Sequence, residues 1–168
     1  MSIVAYAIIA AVALQRLLEV AWATRNTTRL KAQGAVEIGA NHYPLIVLLH
    51  TAWLCAIVVL LPKPVVIHPI PLALFVVIEA GRAWVLLTLG RYFTTRIITL
   101  PGAPLVRRGP YRFVRHPNYL VVACEILVLP LVFGEVRVAI VFSILNALVL
   151  TLRIRTEEAA LAPRRSAP

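Results

Sequence analysis

The sequence predicts an all-α integral membrane protein: a bundle of five transmembrane helices, N-terminus outside, C-terminus cytoplasmic, with the last two helices forming a tight hairpin. Three observations carry that prediction. Mean hydropathy is +0.87, with 61% hydrophobic and 14% charged residues, far from the composition of a soluble domain. The apolar residues gather into five runs that approach or meet the roughly 20 residues a helix needs to cross a bilayer core. The cations fall between these runs, so the net charge of +10 follows the positive-inside rule and does not form a nucleic-acid surface.

The runs are residues 3–22, 43–61, 69–90, 117–133 and 136–152. The first lacks a basic leader and a small-residue cleavage site, and Gln15, Arg16 and Glu19 interrupt it, so it is expected to be a retained helix. Only Gly134 and Glu135 separate the fourth from the fifth, which forces an antiparallel pair. Pro130 is expected to kink the fourth near its end. With five spans, segments 23–42 and 91–116 and the C-terminal tail share one side and hold thirteen of the seventeen basic residues, against Lys63 and Arg137 on the other. That asymmetry sets the orientation. Residues 1–162 are expected to form one membrane domain and 163–168 a disordered tail.

Several polar residues lie inside the apolar runs, where a charge costs roughly 2.5–3.5 kcal/mol on insertion scales and persists when paired or facing a cavity. Arg16 and Glu19, and likewise Glu79 and Arg82, are spaced i,i+3 and so share a helix face. Glu79, Arg82 and Asn146 also suit the role of hydrogen-bonding glue between helices, and Gln15, Arg16 and Glu19 suit snorkelling at the interface. Glu125 has no cation at helical spacing on its own segment, so it needs a partner elsewhere or a proton. Cys55 and Cys124 sit in apolar runs with no ligand spacing around them, so neither a disulfide framework nor a metal site is expected.

The most polar stretch is Arg107 to Tyr119, with four arginines, a histidine, two tyrosines and two prolines in thirteen residues. Gly109-Pro110 marks a turn, and Pro117 suits the first turn of the fourth helix, where its missing N–H costs nothing. His116 then falls at the helix start, where backbone N–H groups and the dipole favour an anionic group, with Tyr119 in reach of the same space. A cationic loop resting on lipid headgroups would look similar. After the fifth run, Glu157-Glu158 returns two carboxylates to the same side, as salt-bridge partners or as acceptors for a ligand with a positive charge and a diol.

Arg115-His116-Pro117-Asn118-Tyr119, preceded by Gly109-Pro110-Tyr111 and followed by Glu157-Glu158, resembles the motif set of the isoprenylcysteine carboxyl methyltransferase family and its phospholipid methyltransferase relatives. The resemblance covers about residues 88–161 and departs at Leu120-Val121-Val122, where relatives commonly carry a glycine. It implies S-adenosylmethionine as methyl donor, bound at the cytoplasmic surface by Tyr111, Arg115, His116, Pro117, Tyr119, Glu157 and Glu158. The donor's chemistry agrees: carboxylates accept its ribose hydroxyls or ammonium group, aromatic faces favour its sulfonium, and arginine suits its carboxylate. No GxGxxG offers the soluble Rossmann route to the same cofactor.

The acceptor implied is lipophilic, prenylated or of long-chain polyketide type, and enters from membrane lipid. For a carboxylate acceptor, Arg91 or Arg96 suffices to position it; for a phenol or enol a base helps, with His116 or Glu125 as candidates. The Arg91–Arg108 stretch looks more like the branch that methylates alkylpyrones and related lipid polyketides. An NADPH-dependent membrane reductase related to sterol reductases, which need far more spans than this chain has room for, and a non-catalytic membrane protein are the competing readings.

Overall fold

The computed structural model describes the backbone of residues 2–165 and the side chains of residues 3–162. Five helices carry the fold: α1 (Ser2–Ala32), α2 (Tyr43–Leu60), α3 (Pro69–Leu89), α4 (Pro117–Val132) and α5 (Val136–Arg165). Four helical stretches are long and apolar enough to cross a membrane, and α4 is apolar but shorter. At 1.5 Å per residue its 16 residues extend about 24 Å. It nevertheless runs the length of α3 in the opposite direction: Gly109, just before α4, packs on Thr88, and the His68 N–H at the start of α3 donates to Val132 O at 2.9 Å.

Two helices outrun their hydropathy. α1 was bounded by sequence at residue 22 and continues to Ala32, and α5 was bounded at 152 and continues to Arg165. Hydropathy marks where lipid ends, whereas helix continues wherever local residues favour it. In α1 the polar extension is anchored by buried Asn26, whose Nδ2 donates to Gly90 O and Phe93 O at 3.0 and 2.9 Å. Gly34, at φ 89°, ends it with a Schellman pair of bonds, Ala35 N to Leu30 O and Gly34 N to Lys31 O. In α5, Arg153 fixes the extension by donating to Thr95 O at 2.8 Å. The expected tail from 163 thus begins as helix, and residues 166–168 lie outside the described residues. Pro130 falls two residues before α4 ends, and its carbonyl accepts from Phe133 and Glu135 in the turn to α5.

The all-α expectation also missed a small sheet. Strands β1 (Val36–Ile38) and β2 (Ile97–Thr99) pair antiparallel, Glu37 opposite Ile98, and join the α1–α2 linker to the α3–α4 linker. Lys31 and Arg96 both bond the Glu37 carboxylate at 2.6 Å. These bonds, that from Lys31 foremost, hold the Glu37 carboxyl below the usual carboxylate range. Such short pairing is invisible to hydropathy.

Trp53 and Ile57 from α2, Ile126 and Leu129 from α4, and Ile9 and Phe75 from α1 and α3 meet in the main core. A second cluster of Ala23, Val85, Leu86 and Phe93 lies toward the sheet. The outward faces are apolar as well: Val59, Ile70, Leu87 and Leu148 are all more than half exposed, which suits lipid and not water.

Candidate functional site

The site is built at the end of the bundle where α4 begins and α5 ends. Gly109 has φ +55°, and a Cβ there would stand 2.6 Å from Thr88 Oγ1, so only glycine allows the turn Gly109–Arg112 to press against α3. That turn places Tyr111 beside the start of α4, where Pro117 occupies the first turn and His116 is the N-cap, its carbonyl accepting from Tyr119 N at 3.1 Å. The His116 and Tyr119 rings stack, with centroids 5.6 Å apart and planes at 25°.

The extension of α5 faces this pair. Tyr119 Oη donates to Glu157 Oε2 at 2.6 Å, and His116 Nε2 donates to Glu158 Oε1 at 3.3 Å, while His116 Nδ1 stands 3.8 Å from Glu157. Arg115 reaches Glu158 only at 3.7 Å and is largely exposed, so that contact adds little. Burial, with the charge of Glu157, pushes the Tyr111 phenol above its ordinary value, which leaves it a hydrogen-bond donor.

Two adjoining cavities share Tyr92, Tyr111, His116 and Glu157 as walls. One, of about 590 Å³, lies beside Arg107, Arg112 and Arg115; the other, of about 760 Å³, extends inward past Val122 and Leu150 and is lined mainly by apolar groups. Both volumes suit small molecules. Asn118 lines the inner cavity with a buried Oδ1 that has no hydrogen-bond partner among the described residues, an acceptor left over for a ligand. Carboxylates, stacked aromatic faces and this spare acceptor match the ammonium, hydroxyl and sulfonium groups of S-adenosylmethionine.

The expected catalytic residues do not converge. Arg96 lines the inner cavity, with its guanidinium 4.1 Å over the Tyr43 ring and Nη1 on Glu37. Arg91 is exposed, bonds Tyr92 Oη at 3.0 Å and lines neither cavity. Glu125 is 1% exposed, also lines neither cavity, and is held by Arg16 at 2.8 Å and Arg82 at 3.0 Å. The i,i+3 neutralisation expected from sequence forms for Arg16–Glu19 at 3.0 Å. Arg82 instead turns across the bundle to Glu19 and Glu125, and Glu79 takes a 2.6 Å bond from Gln15. Gln15, Arg16 and Glu19 are therefore interhelical partners, not snorkelling groups.

A family model, Isoprenylcysteine carboxyl methyltransferase (ICMT) family, matches residues 71–163, more than half of the chain. The chain belongs to the ICMT family. An uncharacterized Bacillus subtilis (strain 168) protein, YpbQ, is 40% identical over 158 residues, which cover 92% of this chain and 94% of that relative. An uncharacterized Haemophilus influenzae (strain ATCC 51907 / DSM 11121 / KW20 / Rd) protein is 28% identical over 143 residues, 82% of this chain and 83% of its own length. No solved structure matches. Membership, with four stretches of membrane-spanning length and composition, makes this an integral membrane protein of a methyltransferase family.

The ICMT match contains His116, Tyr119, Glu157 and Glu158 but leaves out α1 and α2. Those helices supply cavity groups that sequence reasoning passed over or read as interfacial: His50 on α2 and Arg16 on α1. The signal for His50 in the sequence was a lone imidazole seven places after Tyr43 in an apolar run.

Proposed function

We propose that this ICMT-family protein is a membrane O-methyltransferase that takes its methyl group from S-adenosylmethionine and passes it to a carboxylate or acidic hydroxyl on a lipophilic acceptor. The observation that carries the reading is the pairing of Tyr119 with Glu157 and His116 with Glu158, with His116 and Glu157 lining both cavities. When bound, the cofactor supplies an electrophilic methyl on a sulfonium.

The residues of this chain hold and orient. Glu157 and Glu158 offer acceptors for hydroxyl or ammonium groups, the His116–Tyr119 stack offers aromatic faces, and Arg115 offers a cation to a carboxylate. Tyr111 donates from the turn, and Pro117 fixes the helix start from which His116 projects. Arg96 is the positioning cation for the acceptor, whereas Glu125 serves to hold Arg16 and Arg82, and Arg91 lies outside the reaction space. The apolar inner cavity suits a prenylated or long-chain polyketide acceptor arriving from lipid. The cation asymmetry supports a five-span protein with the site on the cytoplasmic face of a bacterial plasma membrane.

Protein purified in detergent should gain several degrees of melting temperature with S-adenosylmethionine and none with NADPH. It should also transfer radiolabelled methyl into lipid extracts. Stabilisation by NADPH alone would turn the reading to a reductase, and stabilisation by neither would leave a non-catalytic membrane protein.

A further inference from the structure

The methyltransferase reading leaves open whether the acceptor arrives charged or carrying a proton. A carboxylate is already ionised at neutral pH and needs no base; a phenol, with an ordinary pKa of about 10, does. The inner cavity contains a group suited to the second case.

His50 lines that cavity from the second turn of α2. Its Nδ1 stands 2.8 Å from the Ile46 carbonyl oxygen, which can only accept, so the Nδ1 proton is spent on the helix's own backbone. In the neutral ring Nε2 then bears a lone pair. Its ring is held edge-on to buried Trp53 at 6.4 Å and 79°. The carboxylates that line the cavity already hold protein partners, Glu19 with Arg82 and Arg16 and Glu157 with Tyr119, and the Asn118 amide oxygen is too weakly basic to take a proton. Arg16 lines the same cavity and keeps a buried Nε–H with no acceptor among the described residues.

We propose that His50 is the catalytic base for a weakly acidic hydroxyl on a lipophilic acceptor, and that Arg16 holds the oxygen as it becomes negative. This rests on the methyltransferase reading and narrows it to a phenol or enol. The O–H bond breaks and its proton passes to Nε2. The oxygen's electron pair forms the bond to the methyl carbon, and the carbon–sulfur bond breaks with its electrons remaining on sulfur. The two helices outside the ICMT match thus supply the acceptor end of the reaction, while α4 and α5 supply the cofactor end.

The full-length protein in detergent tests this with two probes, 5-pentadecylresorcinol as hydroxyl and N-acetyl-S-farnesylcysteine as carboxylate. His50→Asn keeps a donor for the Ile46 carbonyl and removes Nε2. It should lower kcat on the resorcinol by about 10²–10⁴-fold and leave the S-adenosylmethionine Kd, read by calorimetry, unchanged. Independently of turnover, ¹⁵N-histidine spectra of the wild type should show Nε2 of His50 unprotonated and shifted by the resorcinol. A protonated Nε2, no shift with the resorcinol, or undiminished turnover in the variant overturns the proposal. So does methylation of the farnesylcysteine alone. Wild-type protein that fails to bind S-adenosylmethionine would instead sink the methyltransferase reading itself. If His50→Asn does not fold, the wild-type spectra decide.

Discussion

Two groups of glutamates occupy this molecule, and their surroundings differ. Glu19 and Glu125 lie inside the bundle, each shared between Arg16 and Arg82, and Glu125 is 1% exposed. Glu157 and Glu158 lie at the end of α5, part-exposed, facing a tyrosine and a histidine. In the first group the cations are matched by carboxylates on three helices, which locks α1, α3 and α4 together, while Arg16, Glu19 and Arg82 also reach the wall of the inner cavity. In the second, Glu157 lines both cavities and takes its hydrogen bond from the Tyr119 phenol. The same residue type thus supports the bundle in one place and is the proposed ligand acceptor in the other, and what differs is whether its charge has already been answered by a cation.

Removing the shared cation should break the comparison most visibly. Arg82→Ala leaves Glu19 and Glu125 buried with half their compensation, a loss of about 3–5 kcal/mol, seen as a collapse of the melting temperature or of folded yield in detergent. A variant that melts like wild type would show the inner group to be dispensable. Glu157→Gln should do the reverse, weakening S-adenosylmethionine binding by about 1.5–3 kcal/mol, roughly 10- to 150-fold, without moving the melting temperature of the ligand-free protein. Calorimetry beside thermal denaturation separates the two effects.

The smallest effect belongs to a carboxylate outside both groups, Glu37. Its folded pKa lies below the ordinary 4.5, so its support of the sheet is present above that value and is lost as pH falls through the lower, folded one. Protection of the amides at 36–38 and 97–99, taken relative to their intrinsic exchange rates, should fall in that window, and Glu37→Gln should remove that pH dependence of protection.

The membrane class and the approximate positions of five apolar helices, four of them of spanning length, were legible because lipid demands long runs of apolar composition. The convergence of the two ends of the candidate site was legible because its groups cluster in short motifs, His116-Pro117-Asn118-Tyr119 and Glu157-Glu158. The helix ends at Ala32 and Arg165 were not, since polar residues such as Arg153 and Asn26 extend a helix by tertiary bonds that hydropathy does not register. Nor was the pairing of Arg82 with Glu19 and Glu125, because the i,i+3 Glu79 offered a nearer partner on paper. His50 was passed over because its distinguishing bond to Ile46 and its place on the cavity wall exist only in three dimensions.

Helix α5 contains no proline or glycine from Val136 to Ala162, so it behaves as one rod with its lower part in lipid and its upper part in the site. Glu157 and Glu158 cannot rise or sink independently of how residues 136–152 seat in the bilayer. The opposing wall, with His116 and Tyr119, rides on a helix of 16 residues that meets the lipid differently. Bilayer thickness, acting through the tilt of the longer rod, therefore sets the register between the carboxylates and their aromatic partners, and lipid composition becomes a variable of site geometry.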